Sequence, residues 1–364
     1  MDKAKQYSNE KYSLAIAGMG FDLFLLFVFL ASGLSKALAE WLSLISPNAF
    51  FTLPAYITIA GFAYYLLDFP LHFYGSYILE HKYSLSTQRL GAWFLDELKA
   101  SLIALSIAFI LVGALYFVLN HFLNTWWLII SLFWVFFNIL LAKLVPIVII
   151  PLFFKYKKIS DESLRQRILS LADKMKVKIL DVFEIDFSKK TVKANAAFVG
   201  VGSTRRVLLA DTLQNKYTPD EIEVVLAHEF AHYRLRHLLK LVLINSAVTV
   251  VTFYIIYKTS SGVVAFFGFS SLSEIAALPV VLLYMALFGI IMQPLAAFLS
   301  RVFERNADRL SLAVTQNTNA FISMMDKLGE QNLADRSPHP LIKFFFFDHP
   351  PIDERIKMAK HPTL

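Results

Sequence analysis

The stretch that decides the architecture of the chain runs from Thr218 to Tyr257 and reads TPDEIEVVLAHEFAHYRLRHLLKLVLINSAVTVVTFYIIY. Thr218 and Glu221 form a capping-box pattern with proline at the first helical position, so a helix is predicted to begin here. The apolar pattern then continues without glycine or proline through His228–His232 into the run Leu238–Tyr257. A run of about 20 apolar residues is long enough to cross a bilayer. We therefore predict one helix that contains the histidine motif and then enters a membrane.

Apolar runs of similar length recur along the chain. With the one above they number six: Leu14–Leu34, Phe51–Tyr74, Leu102–Phe122, Trp126–Phe154, Leu238–Tyr257 and Ala276–Leu299. The composition agrees, since only 17% of the residues are charged against about 25% in soluble proteins. The first run is too long for a cleaved signal peptide and is interpreted as a retained anchor. The fourth contains Pro146 and Pro151, so it is either one kinked crossing, which we favour, or two short helices. The predicted fold class is mainly α, a polytopic membrane protein with six to seven membrane helices and a small mixed α/β cytoplasmic domain.

Lysine and arginine are unevenly distributed among the connecting segments. Segments rich in lysine and arginine alternate with segments poor in them through six crossings. The positive-inside rule then places both termini and both large polar segments in the cytoplasm. The net charge of +7 follows from this bias, so we expect no nucleic-acid partner. The absence of cysteine excludes disulfides, thiolate ligands and a cysteine nucleophile. The expected location is the inner membrane of a prokaryotic cell or the endoplasmic reticulum of a eukaryotic one.

The chain is expected to divide into four parts. These are N-terminal membrane helices (1–154), a cytoplasmic α/β segment (155–222), zinc-site helices that continue into or out of the membrane (223–310) and a C-terminal cytoplasmic segment (311–364). The α/β segment contains a predicted amphipathic helix, three predicted strands and a hairpin turn: Asp161–Met175, Asp181–Phe187, Ala194–Val201, Arg205–Ala210 and Gly202–Thr204.

The motif itself predicts a metal site. His228 and His232 lie four residues apart, so on a helix both imidazoles face one side and can bind one zinc ion. Glu229 is then next to the metal, where a general base is needed. The alternative is a chance match, with histidines that are only surface or core residues. A metzincin would need glycine and histidine where Leu235 and Leu238 stand, and His237 is interpreted as a surface residue.

A catalytic zinc site needs a third protein ligand. Glu274 is one candidate, but the fifth run carries the chain across the membrane before it. The sixth run returns the chain, and Glu304 is the first glutamate after that return. Asp308 lies one helical turn beyond Glu304 and is placed to orient His228 or His232, because zinc-bound histidines usually donate their second N–H to a carboxylate.

Five blocks of sequence also resemble one known family, the type I CAAX prenyl proteases and their bacterial relatives. These are membrane metalloproteases of the gluzincin type, akin to the HtpX-like quality-control proteases. The blocks are Glu80–Gln88, Asn195–Gly200 with Arg206–Leu213, His228–His232, Glu304–Asp308, and His349–Pro351 with Glu354-Arg355.

The resemblance implies further features of the site. The family is usually described with seven membrane helices, and it encloses its zinc, one ion per chain, in a large hydrated chamber. The resemblance implies a substrate-binding strand that begins at Asn195 and Ala196, with His349 as a hydrogen-bond donor to the oxyanion and Arg355 as a second polar anchor. Residue by residue, Asn195 could instead cap a turn, and Arg355 could belong to an ordinary charged helix.

The expected function is peptide-bond hydrolysis by a zinc-activated water, with Glu229 as the base. The resemblance implies substrates with prenylated C-termini or other membrane-associated peptides, and damaged membrane proteins are a further possibility. We expect a monomer in contact with the lipid bilayer. The two rival hypotheses are a metal-binding membrane transporter and a catalytically silent membrane scaffold.

Overall fold

The computed structural model describes residues 2–200 and 205–361. Six helices in this part of the chain are long and apolar enough to cross a membrane: Lys3–Ala31, Ala49–Lys82, Leu90–His121, Trp126–Phe153, His237–Phe266 and Ile275–Thr315. The predicted fold class, a mainly α-helical polytopic membrane protein, is therefore confirmed. The fourth helix is continuous through Pro146, with a π-helical turn at Val145–Ile149, so it forms one candidate span rather than two.

The helices and strands are numbered in chain order. The helices are α1 (Lys3–Ala31), α2 (Leu34–Ile45), α3 (Ala49–Phe73), α4 (Leu79–Lys82), α5 (Leu90–His121), α6 (Trp126–Leu144), α7 (Ile150–Phe153), α8 (Glu162–Lys174), α9 (Asp211–Gln214), α10 (Pro219–Arg234), α11 (His237–Phe266), α12 (Leu278–Thr315), α13 (Thr318–Gln331), α14 (Pro340–Phe346) and α15 (Ile352–Lys360). The strands are β1 (Tyr156–Lys158), β2 (Val182–Ile185), β3 (Ala196–Val199) and β4 (Arg206–Ala210).

A small mixed sheet follows the fourth membrane helix. Its strand order is β1-β2-β4-β3, with β2 and β4 parallel and the outer pairs antiparallel. The predicted amphipathic helix is α8, and the Asp161 side chain caps it by accepting the backbone N–H of Leu164. The predicted hairpin turn at Gly202–Thr204 lies outside the described residues. In this arrangement β3 forms an edge of the sheet, which leaves one side of the strand without a strand partner.

The two largest apolar clusters among the described residues lie around the sheet and among the membrane helices. One surrounds the sheet and includes Leu209, Phe230 and Phe321, all fully buried. The other lies among the membrane helices and includes Ile130 and Phe253. Phe230 and Ala231 of the histidine motif lie in the first cluster, while α12 has buried residues in both. The motif is therefore supported by a packed core on the side away from its polar face.

The prediction of one continuous helix from Thr218 into the membrane is wrong. The first half is α10, and its capping box at Thr218 and Glu221 forms as predicted. The chain then leaves the helix at Leu235, and Arg236 adopts a left-handed conformation with φ of 55°. No glycine or proline marks this break. The break coincides with a change of packing partner, since α10 packs on α8 and α13 and α11 packs on α6, while α12 contacts both helices.

The N-terminal helix meets the C-terminal segment at one end of the bundle. The Lys5 ammonium lies 2.8 Å from a carboxylate oxygen of the buried Asp335. The Tyr12 ring stacks on Phe346 with a centroid distance of 6.3 Å. These contacts place the first turns of α1 beside the residues that precede His349, on the same end of the bundle as the sheet.

Candidate active site

Three side chains from two helices converge at one point. His228 and His232 on α10 direct their Nε2 atoms towards Glu304 on α12, and each nitrogen lies 3.2 Å from a carboxylate oxygen. The two Nε2 atoms are 3.0 Å apart. One donor atom from each residue lies within 4.8 Å of the others. The structure thus brings together the three metal-ligating residues predicted from the sequence.

This donor set fits a metal cation. Two imidazole nitrogens and one carboxylate oxygen are the protein ligands found in many catalytic zinc sites, with one position left open. The buried Oε2 atom of Glu304 makes no well-formed hydrogen bond among the described residues, although Nε2 of His228 and Nε2 of His349 lie 3.2 and 3.4 Å from it. Buried carboxylate oxygens are normally hydrogen-bonded or bound to a cation. A cation at the convergence point would satisfy this oxygen.

Glu229 lies beside the convergence point and lines a cleft of about 380 Å³. Its backbone position on α10 follows directly from the helix that also holds the two histidines. Burial raises the pKa of the Glu229 carboxyl, and the nearby His228 and His232 oppose that shift. A carboxyl group whose pKa is raised is better suited to accept and return a proton.

Asp308 and Arg355 support His228 from behind. The Asp308 Oδ1 atom lies 2.8 Å from His228 Nδ1. Arg355 on α15 donates to both Asp308 oxygens, from Nε to Oδ2 at 2.7 Å and from Nη2 to Oδ1 at 2.5 Å. Asp308 is fully buried, and Arg355 is nearly so. The sequence left open which histidine Asp308 contacts, and in the structure that residue is His228.

Arg355 also lines the cleft. Its guanidinium fork already engages Asp308, so its closest polar contact is within the protein. The predicted role of Arg355 in substrate binding stays a prediction. The contact between Arg355 and Asp308 could not be predicted from the sequence, because α12 and α15 come together only in the folded chain.

His349 approaches the site from the turn before α15. Its Nε2 atom lies 3.4 Å from Glu304 Oε2, and its Nδ1 atom lies 2.9 Å from Asp348 Oδ1. Partial burial works against protonation, but Asp348 and Glu304 outweigh it and raise the pKa of His349. More than half of the His349 side chain remains exposed to the cleft. The ring N–H of His349 at this position is available as a hydrogen-bond donor to a group bound beside Glu304.

The same cleft is bordered by the predicted substrate-binding residues. Asn195 and Ala196 line it together with Glu229 and His349. Ala196 pairs with Leu209 of β4, and the Asn195 carbonyl accepts the backbone N–H of Ala210. The outer edge strand β3 therefore begins at the cleft, which is the arrangement expected of a strand that pairs with an extended peptide.

Glu274, the rejected candidate ligand, takes no part in the donor group. Its carboxylate accepts the backbone N–H groups of Ser270 and Ser271, in the connection between α11 and α12. The topological argument that favoured Glu304 agrees with this placement.

The interpretation of His237 as a surface residue is wrong. Its side chain is only 2% exposed. Its Nδ1 atom lies 3.0 Å from Nδ1 of His232. The cause is the break between α10 and α11, which the sequence does not signal. His237 is therefore a member of the site that sequence reasoning missed.

A second cavity lies between α1 and α3, within the candidate membrane spans. Its volume is about 470 Å³, and its lining includes Lys11, Asp22, Asp68 and His72. Asp22 accepts a hydrogen bond from Tyr64 at 2.8 Å. Asp22, Asp68 and His72, which are polar residues within candidate membrane spans, thus line one shared cavity.

Comparison with known proteins places this geometry in a family. A family model described as peptidase family M48 matches residues 158–363. A second, described as CAAX prenyl protease N-terminal with five membrane helices, matches residues 1–155. Four of the six candidate spans lie in that second region, and α2 is a shorter fifth helix of 12 residues.

Two relatives align with most of the chain. The chain is 30% identical over 361 residues to the uncharacterized metalloprotease YhfN of Bacillus subtilis strain 168. That alignment covers 98% of this chain and 84% of YhfN. The chain is 28% identical over 312 residues to CAAX prenyl protease 1 of Saccharomyces cerevisiae, which covers 80% of this chain and 68% of that protein.

The fold is also found among solved structures. The crystal structure of S. mikatae Ste24p superposes with a TM-score of 0.89 at 23% identity, covering 99% of this chain and 90% of that one. The resemblance to CAAX prenyl proteases and the expectation of a membrane metalloprotease are confirmed. Because the M48 model spans more than half of its residues, the chain belongs to peptidase family M48.

Proposed function

We propose that the chain is a zinc metalloendopeptidase that cleaves peptide bonds at a membrane. The observation that carries this proposal is the convergence of His228, His232 and Glu304 beside Glu229, in a cleft bordered by an edge strand. We infer one zinc ion per chain, because two imidazoles and one carboxylate suit zinc better than calcium or magnesium, which prefer oxygen ligands. When bound, zinc supplies Lewis-acid polarisation of the scissile carbonyl and lowers the pKa of water.

The protein side chains provide proton transfer, oxyanion binding and substrate alignment. Glu229 accepts a proton from the attacking water and returns it to the leaving amine, a role favoured by its buried position next to the ligands. His349 donates a hydrogen bond from its ring N–H to the oxyanion that develops on the scissile carbonyl. Asp308 holds the His228 ring in one orientation. Asn195 and Ala196 start the strand edge on which the substrate backbone aligns.

The substrates are proposed to be membrane-associated peptides or proteins. Support comes from the position of the site, where α12 extends from the apolar span to Glu304 without interruption. The match to CAAX prenyl protease 1 supports substrates with prenylated C-termini. Damaged membrane proteins are the second proposed class. A metal transporter is not favoured, because His228 of the metal-ligating group lines the same cleft as Glu229, which places a general base beside the proposed metal.

Removal of the metal should stop cleavage. We expect that purified protein in proteoliposomes cleaves a quenched membrane-anchored peptide, that a zinc chelator abolishes this activity, and that added zinc restores it. The same preparation assayed with a transport indicator for zinc serves as the control for the transporter hypothesis. Cleavage that continues at the full rate after the metal has been stripped to undetectable levels would contradict the proposal.

We further propose that the zinc site faces the cytoplasm, from the inner membrane of a prokaryotic cell or the endoplasmic reticulum of a eukaryotic one, and that the chain acts as a monomer. The support is the alternation of charged segments and the contact of both terminal regions at one end of the bundle.

The chain has no cysteine, so single introduced cysteines can map its orientation in the membrane. A membrane-impermeant maleimide applied to sealed cells should label Asn124→Cys, in the loop between α5 and α6, and not Lys178→Cys beside the sheet. The reverse pattern would overturn the proposed orientation.

A further inference from the structure

His237 occupies a position that its sequence context does not predict. On one continuous helix it would lie about 140° around the axis from His232, because each residue advances the helix by about 100°. The left-handed turn at Arg236 ends α10 and starts α11 at His237. That turn brings the His237 ring beneath His232, and the distance between their Nδ1 atoms is 3.0 Å.

The hydrogen bond between these rings has a defined direction if His232 binds a metal. The Nε2 atom of His232 faces Glu304 and His228, so this nitrogen is the one available to the cation. A neutral imidazole that uses Nε2 as a ligand has its proton on Nδ1. The Nδ1–H group of His232 therefore points to His237 Nδ1, which accepts.

The two ligand histidines are thus supported in parallel but different ways. Behind His228 stands the carboxylate of Asp308, itself held by Arg355. Behind His232 stands the neutral ring of His237, itself stacked on Phe303 with a centroid distance of 4.5 Å and an interplanar angle of 12°. Phe303 is the residue before Glu304, so this stack connects the support of His232 to the helix that holds the third ligand.

A purely packing role for His237 does not account for its chemistry. The side chain is 2% exposed, and its Nε2 atom has no hydrogen-bond partner among the described residues. A buried polar group without a partner destabilises a fold, whereas an apolar ring at the same position would avoid that cost. The benefit that offsets the cost is an acceptor placed directly behind His232.

We propose that His237 is a positioning residue that accepts the Nδ1–H of His232 and fixes the tautomer and ring orientation with which His232 binds the metal. This inference rests on the proposed ligation of zinc by His228, His232 and Glu304. Partners of this kind typically change metal affinity by about 10- to 100-fold when removed.

The test measures metal binding directly, on the full-length protein in detergent or nanodiscs. Zinc affinity is obtained by competition with a chromophoric chelator, and zinc-dependent stabilisation is obtained as the difference in Tm between the metal-free and zinc-loaded protein. His237→Phe removes the acceptor and keeps a ring against Phe303. His237→Asn keeps an acceptor near the Nδ1 position, whereas His237→Gln moves it towards the Nε2 position. His121→Phe, at an exposed helix end between the third and fourth spans, is the matched control.

We expect His237→Phe and His237→Gln to bind zinc about 10- to 100-fold more weakly than wild type, and His237→Asn to remain within about threefold, with the Tm difference following the same order. Wild-type affinity in His237→Phe, or equal losses in the Asn and Gln variants, would overturn the proposal. If His237→Phe fails to fold, the comparison of Asn with Gln decides alone. Absence of zinc binding in the wild-type protein would instead count against the proposed zinc site.

Discussion

Glu304→Ala should reduce the metal content from one ion per chain to a small fraction and peptide cleavage to background. Glu304 provides the only carboxylate of the three-residue donor group found among the described residues. Without it, two imidazoles on one helix remain, and a pair of nitrogen ligands holds zinc far more weakly than a three-ligand set. The expected loss of affinity exceeds the roughly 10- to 100-fold that follows from removing a supporting partner.

The measurement is metal stoichiometry by elemental analysis after dialysis, together with cleavage of a quenched peptide. Glu330→Ala, an exposed glutamate at the end of α13, should leave both quantities unchanged. A Glu304→Ala protein that keeps a full complement of zinc would remove Glu304 from the ligand set.

Glu229→Gln should separate metal binding from catalysis. Glutamine has the shape of glutamate but cannot accept the proton of the attacking water, so the zinc content should match wild type. General-base catalysis typically contributes about 10²- to 10⁴-fold, and kcat should fall by a factor in this range or more. The effect on KM should be small, because Glu229 is not among the residues proposed to align the peptide.

Glu223→Gln is the matched control for this variant. Glu223 lies on the same helix and accepts a hydrogen bond from Arg167 at 2.6 Å, away from the cleft. Its replacement should leave kcat within about twofold of wild type, since exposed and partly exposed ion pairs contribute little. Turnover of Glu229→Gln at the wild-type rate would show that another group moves the proton.

Much of this architecture is predictable from local patterns. Apolar runs of sufficient length, the capping box at Thr218, and the spacing of His228 and His232 all depend on residues that are close in sequence. The choice of Glu304 over Glu274 was also possible from the sequence. Counting the apolar runs shows that Glu274 follows one crossing, whereas Glu304 follows a second crossing that returns the chain to the side of the histidines. In each of these cases a single physical rule, helix periodicity or bilayer thickness, decides the answer.

The features that could not be predicted from the sequence depend on packing between elements that are distant along the chain. The break at Arg236 has neither glycine nor proline to mark it, and it coincides with a change of packing partner from α8 and α13 to α6, while α12 contacts both helices. His237 was misplaced for that reason. The bidentate contact of Arg355 with Asp308 joins residues 47 positions apart, and no periodicity relates them. The sequence could suggest that Asp308 orients a histidine, but only the folded chain selects His228.

The central claim is that His228, His232 and Glu304 hold a zinc ion beside Glu229. Anomalous diffraction from crystals of the wild-type protein, recorded on both sides of the zinc absorption edge, tests it most directly. The account predicts one difference peak per chain, located between the Nε2 atoms of His228 and His232 and the carboxylate of Glu304. A zinc peak at another location, or none at this one in crystals of active protein, would contradict it.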